Sequence, residues 1–461
     1  MPETKESYPK NPLQVEHFSE DLLGREKYCR SLEDYLNIEH EFTDGSLVVS
    51  LNASFGQGKS TLLKMWENDL SDRRKKDKNT PLVINLNAWD SDYYGEPLIP
   101  IISELVDAIS KNLPPENDKT ERLWEAAKDV AWFCSGLVVS ASQVDPFAAQ
   151  KLAESKKGDR EKQRDVASLD LLNDYRKRKY AIWRLKRLLK ETLGGRSPRA
   201  LIFTDELDRC RPDYAVSYLE TIKHVFDIHG LVFVLAIDYD HLKNSACSLY
   251  GDDLNFPEYF RKFIHRSFEM PDPKAERKLE FARELTNFYL NNKNNRFSKL
   301  NLKQSWRRLP ELIIAFNMTP RQAIESFRLL GHLSSSRTDY PIELLTGYGI
   351  AMMFMCSLKA TGSELYKLIG LGEKPHEQVL MIFQSAFIKK KAYRMFMTYL
   401  SGYTDASSAY SLLKKHDLLP DGANESTLQE ELNGHIMNLW DHQIGDYYPQ
   451  IYKQIEATEL E

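Results

Sequence analysis

Residues 47–61 read Leu-Val-Val-Ser-Leu-Asn-Ala-Ser-Phe-Gly-Gln-Gly-Lys-Ser-Thr. An apolar run enters a Gly-Gln-Gly-Lys-Ser-Thr turn, the spacing of a phosphate-binding loop at the end of a strand. Gly56 and Gly58 let the backbone turn its N–H groups inward around a phosphate, with Gln57 between them. Lys59 can reach the β/γ oxygens, and the Ser60 hydroxyl can ligate Mg²⁺. From Thr61 to Trp66 the pattern suits a helix, whose N-terminus favours anions. The usual first glycine is replaced here by Ala53. The bland alternative is a Gly-rich turn carrying an exposed lysine. The strand–loop–helix context favours the nucleotide site.

Outward from this loop, near-continuous apolar runs recur at 81–89, 199–205, 231–238 and 263–270, separated by helical patterns. Such runs suit parallel strands buried on both faces. They predict an α/β fold, a parallel sheet flanked by helices with its sites at the carboxyl ends of the strands. The interval 114–170 breaks the rhythm and reads as an insertion between the second and third strands. Within it, the mixed charges of 154–162 read as a mobile loop. Beyond about 275 the signals become helical, as at 309–315, 323–330 and 352–358. The expected divisions are core 1–113, insertion 114–170, core 171–274, a helical lid or sensor segment 275–335, and a C-terminal helical domain 336–461.

A chain of 461 residues with 42% hydrophobic and 28% charged residues has the composition of an ordinary globular protein. A net charge of −5 argues against a surface built throughout for nucleic acid, so any such binding would be local. The five cysteines are scattered, without a C-x-x-C pair, which argues against a disulfide framework or a cysteine zinc site and fits the reducing cytoplasm. The eleven histidines show no metal-site spacing. No signal-peptide pattern opens the sequence. The uncharged stretch 130–141 is far shorter than the ~20 residues a membrane helix needs. A buried or interface helix is expected there rather than stable membrane insertion.

The third apolar run ends in Thr204-Asp205-Glu206-Leu207-Asp208-Arg209-Cys210. Asp205, at the strand tip, has the place of a carboxylate that holds Mg²⁺ opposite Ser60. Glu206 could polarise an attacking water. Asp238, ending the fourth run, could sense a γ-phosphate or simply cap a following helix. Hydrolysis also needs positive charge near the transferred phosphoryl group. Arg261, Arg266 and Arg321 are candidates, and Arg321 stands out because a Thr-Pro turn before a helix would present it rigidly.

Together, Gly56–Thr61, Asn87-Ala88-Trp89, the Asp205–Cys210 segment, Ala236-Ile237-Asp238 and Thr319-Pro320-Arg321 resemble the KAP family of P-loop NTPases. The resemblance covers roughly residues 18–335 and implies a core with an extra strand between the two nucleotide motifs. It implies an ATP site in which Ser60 and Asp205 hold Mg²⁺, Glu206 is the base and Arg321 is a sensor. Leu22-Leu23-Gly24-Arg25 resembles the segment beside adenine in related ATPases, which adds Gly24 and Arg25 to the expected cofactor-binding set. Many members have Asp-Asp where this chain has Asp205-Glu206, and many carry membrane helices in the insertion. Bacterial members are often linked to exclusion of phage, a role that extends to this chain by association alone.

Of the basic stretches, 73–78 reads as a solvated loop. Residues 172–190 can form a helix with Leu172, Tyr175, Ile182, Leu185 and Leu189 on an apolar face. Arg176, Lys177, Arg184 and Arg187 elsewhere on it could track the phosphates of a nucleic acid, but without an interleaved aromatic platform they read more readily as an exposed helix face. The favoured function is a Mg²⁺-dependent ATP hydrolase used as a switch or assembly module, with a homo-oligomer supplying an arginine in trans and a protein effector as partner. The alternatives are a nucleic-acid-stimulated motor and a non-hydrolysing ATP-bound scaffold.

Overall fold

The structure is a computed structural model that describes residues 14–112, 118–142, 157–193, 199–291, 308–335, 346–401, 404–439 and 447–458. It divides into two units, one of Met1–Arg25, Gly56–Gly58 and Asp272–Glu461 and the other of Glu26–Phe55 and Lys59–Pro271.

The second unit is built on five strands, β1 (Leu47–Asn52), β2 (Leu82–Asn87), β3 (Ala200–Asp205), β4 (Leu231–Ile237) and β5 (Arg266–Glu269). They lie in the order β2-β3-β4-β1-β5, and every pairing is parallel. β4 separates β1 from β3, which is the extra strand between the two nucleotide motifs. All seven residues of β4 are buried, as an apolar strand covered on both faces requires. Val48, Ile84, Ile202 and Phe233 join one core. On the opposite face Trp66 of α2 (Lys59–Lys76) packs at a tilt with its ring 4.9 Å from that of Phe203, and donates its indole N–H to Glu33. That glutamate lies on α1 (Glu26–Glu41), which buries Cys29, Leu32, Leu36 and His40. The His40 Nε2 accepts the Gly230 N–H at 3.0 Å, and its ring lies 4.2 Å from that of His229.

Between β2 and β3 come α3 (Ala88–Ser91), α4 (Leu98–Asn112), α5 (Asp118–Ser142) and α6 (Lys157–Leu193). The insertion expected at 114–170 corresponds to α5 and the first part of α6, between the second and third strands. α5 and α6 pack against each other, and Leu123, Ala126 and Val130 of one share a core with Ala181, Leu185 and Leu188 of the other. No helix among the described residues is long and apolar enough to cross a membrane. In the 130–141 stretch Val130 is buried and Trp132 is 74% exposed. After β3 follow α7 (Pro212–Val225), α8 (Tyr239–Tyr250) and α9 (Phe256–Phe260).

Several local expectations change. Of the segment 154–162, expected as a mobile loop, residues 157–162 are the start of α6, and 154–156 lie outside the described residues. Residues 73–76 end α2 rather than forming a loop. Arg73 there binds Glu33 and Asp69, and Arg74 donates to the carbonyls of Lys78 and Thr80. Burial first, then the neighbouring Arg199, lowers the Arg74 pKa. Tyr175 leaves the apolar face of α6 and is 62% exposed, while the buried stripe runs through Ala181, Leu185, Leu188 and Leu189. Ala88 and Trp89 leave the strand for α3, because the Asn87 side chain accepts the N–H groups of Trp89 and Asp90 and starts a helix.

The first unit is helical. After α10 (Ala275–Asn291) and α11 (Leu309–Ala315) come α12 (Pro320–Ser335), α13 (Thr346–Thr361) and six further helices ending at Tyr447–Thr458. A core of Leu285, Leu312, Phe327, Phe354, Phe383 and Tyr399, among others, joins them. Leu22 and Leu23 pack against the same core. The α/β core with its parallel sheet, the insertion and the helical C-terminal region are thus all present.

Candidate nucleotide site

The loop after β1 has the backbone that its glycines foretold: Gly56 has φ 84° and Gly58 φ 93°, conformations that side chains rarely adopt. Within the first unit, a Cβ added at Gly56 would lie 2.9 Å from the Arg321 Cβ and 3.0 Å from the Thr319 Oγ1. α2 begins at Lys59, so its first turn places Ser60 and Thr61 directly after the loop. Lys59 is buried, its ammonium donates to the Ala53 carbonyl at 2.6 Å, and Asp208 stands 3.7 Å away. The lysine is therefore folded back over its own loop, with a carboxylate as countercharge.

Asp205 ends β3, and its Oδ1 accepts the Glu206 N–H at 2.9 Å. Glu206 itself has φ 62°, a left-handed conformation uncommon outside glycine. It turns the chain into a 3-10 helix, Leu207–Arg209. That turn sends Asp208 toward Lys59 and brings Arg209 back to Glu206, with Arg209 Nη1 2.8 Å from Glu206 Oε1. The Arg209 guanidinium also sits 5.0 Å from the Phe55 ring and 5.6 Å from the Trp89 ring. Phe55 belongs to the phosphate loop and Trp89 to the Asn-Ala-Trp after β2, so one arginine ties three connections together.

Asp208, Arg209, Phe55 and Trp89 had no assigned task in the sequence reading. Asp208 has a second role, since its Oδ2 accepts the Asp238 N–H at 3.2 Å. Asp238 takes the capping alternative: its side chain accepts the His241 N–H at the start of α8. Asn52, at the tip of β1, accepts the Tyr239 N–H and donates to both carboxylate oxygens of Glu269. Asp92, in the turn after α3, accepts from the Arg211 N–H and Nε, which joins the connections following β2 and β3. The buried Cys210 thiol is pushed up to about 12 by burial, then by Asp92, Asp208 and Glu206, which makes it an inert neutral group.

The remaining candidates are distributed. Arg266 lies at the start of β5, level with Val49, where it donates to the Tyr35 hydroxyl and pairs with Glu39 at 3.2 Å. That engagement holds it against α1 rather than at a strand tip. Arg261 is exposed just after α9. In the first unit Arg321 is exposed in the first turn of α12. Gly24 has φ 71°. Arg25 is buried, pairs with Asp21 at 2.8 Å and donates to the Gly58 carbonyl at 3.4 Å. Burial alone would raise the Asp21 carboxyl, but the hydrogen bonds and charge of Arg25 outweigh it and leave the group lowered.

No cluster of three or more His, Cys, Asp or Glu side chains able to hold a metal occurs among the described residues. A magnesium ion bound with a nucleotide does not need one. A hydroxyl, a carboxylate at a strand tip and the phosphates themselves suffice. Ser60 and Asp205 are donors of that kind.

Among solved structures, the chain is similar to the ORC2 protein of Aeropyrum pernix in its ADPNP–ADP complexes, at 11% identity over 90% of this chain and 94% of that one, with a TM-score of 0.34. Its ADP form gives 12% identity over 98% and 97%, with a TM-score of 0.33. No curated protein sequence matches the chain. The model of the KAP family P-loop domain matches residues 25–335, so the chain belongs to the KAP family of P-loop NTPases.

Proposed function

We propose that the protein is a Mg²⁺-dependent ATP hydrolase that uses its nucleotide state as a switch. The observation that carries this reading is the 2.8 Å pair between Glu206 and Arg209. It is a resting arrangement in which the carboxylate suited to act as base is engaged by a cation clamped between Phe55 and Trp89. In this reading Gly56, Gln57 and Gly58 wrap the phosphates, and Lys59 exchanges Asp208 for β/γ oxygens. Ser60 and Asp205 hold the Mg²⁺, which when bound neutralises charge between the β- and γ-phosphates. Glu206, once released by Arg209, orients the attacking water. Gly24 and Arg25 border the base of the nucleotide, and Arg321 is the sensor. Two states that differ in their contacts to the γ-phosphate are what a switch requires. ATP-dependent assembly of like subunits, with an arginine such as Arg261 supplied in trans, and a role in phage exclusion by family association complete the proposal.

The test is steady-state ATP hydrolysis and ATP binding by the wild type and by Glu206→Gln, with particle size measured in ATP. Loss of at least about 100-fold in turnover with binding retained supports the base assignment. Turnover unchanged by the substitution overturns it, and an unchanged size in ATP overturns the assembly.

A further inference from the structure

α6 presents an outward face that the nucleotide site does not use. Tyr180 is 63% exposed and Trp183 51% exposed. Their rings lie 5.7 Å apart at 30°, and the Arg187 guanidinium sits 5.1 Å from the Trp183 ring. Positions 176, 180, 183, 187 and 190 follow one another at helical spacing, so Arg176, Tyr180, Trp183, Arg187 and Lys190 share one face over about 21 Å of axis. Every charged residue from 176 to 190 is Arg or Lys. Arg184 is neutralised by Asp129 and Glu125 of α5, and Lys186 donates to the His224 carbonyl. Arg187 pairs at 3.4 Å with Glu191, an exposed contact that a phosphate can replace. Arg176, Lys179 and Lys190 are exposed.

We propose that this face of α6 binds single-stranded nucleic acid, stacking bases on Tyr180 and Trp183 and seating phosphates on Arg176, Lys179, Arg187 and Lys190. Aromatic rings flanked by cations along one line are what an unpaired strand requires, because each base offers a π-face and each linkage a negative charge. The charge is local, set in a chain whose net charge is −5, so attraction concentrates on this face. An anionic membrane is the poorer match. An interfacial helix buries leucines and isoleucines in the lipid, whereas Leu185, Leu188 and Leu189 point into the protein. The buried stripe holds the helix in place, so its face is preformed.

The experiment uses the full chain without ATP, which separates its outcome from that of the hydrolase reading. Fluorescence anisotropy of a labelled oligothymidylate of about 15 nucleotides is followed between low and physiological salt. With four phosphate contacts the affinity should fall with a log–log slope of about −2.8, flattening by about 0.7 for each cation changed to alanine. Tyr180→Ala and Trp183→Ala, both surface changes, should each weaken binding at least about fivefold without lowering the melting temperature. No binding at low salt overturns the proposal. So does equal binding by the Tyr180→Ala/Trp183→Ala variant, or binding to phosphatidylserine vesicles with none to the oligonucleotide.

Discussion

Asp208 Oδ2 stands 3.7 Å from Lys59 Nζ, and both side chains are nearly excluded from solvent. In the proposed reading, the carboxylate holds the place of the charge that a nucleotide would bring to Lys59. Breaking a buried pair leaves the survivor uncompensated, so Asp208→Ala should destabilise the protein by about 3 kcal/mol. The thermal midpoint should drop by several degrees. ATP should restore more of that loss in the variant than it adds to the wild type, as thermal unfolding with and without nucleotide will show.

The Arg209–Glu206 pair is partly exposed and of ordinary strength, about 1 kcal/mol. If it restrains the base, Arg209→Ala should raise basal ATP turnover about fivefold, the kinetic equivalent of that energy. Arg209→Lys, which keeps the charge but not the broad guanidinium beside the Phe55 and Trp89 rings, should fall between the two. A drop in turnover for Arg209→Ala would mean that the arginine orients the carboxylate instead.

Gly56→Ala places a side chain at φ 84° and 2.9 Å from the Arg321 Cβ. Backbone strain alone costs about 1–3 kcal/mol. Nucleotide affinity, read by calorimetry, should fall at least about tenfold, whereas Gln57→Ala, which keeps the backbone N–H, should bind within about threefold of wild type.

Acid sensitivity should come from α1. Burial first, then His229, lowers the His40 pKa from 6.5 to about 4, and burial likewise lowers that of His265. A folded-state value below the unfolded one means that the unfolded chain binds more protons between the two. Stability is therefore full above about pH 6.5 and is lost as pH falls toward 4. Denaturant midpoints across that window should decline in the wild type and decline less in His40→Gln.

The sheet was legible because β1, β3 and β4 are near-continuous apolar runs, as burial on both faces requires. Lys59, Asp205 and Glu206 were legible because their places follow from strand ends. Asp208 and Arg209 belong to the motif after β3, yet their contacts depend on the left-handed turn at Glu206, which a string of letters does not announce. A glutamate is a poor signal for such a backbone. Phe55 and Trp89 both meet Arg209, although they lie 34 positions apart in sequence. On α6 the expected absence of an aromatic platform does not hold: Tyr180 and Trp183 are exposed among the basic residues, and Tyr175, expected on the apolar face, is exposed too, because only packing shows which stripe is buried.

Asn52 remains. A single amide accepts from the start of α8 and donates to the last residue of β5, while its own backbone ends β1. It works as a keystone, locking three neighbouring chain segments at the rim of the sheet. If Lys59 and Arg209 exchange partners for a nucleotide as proposed, the movement falls to the side chains and turns beyond the strand tips rather than to the strands themselves.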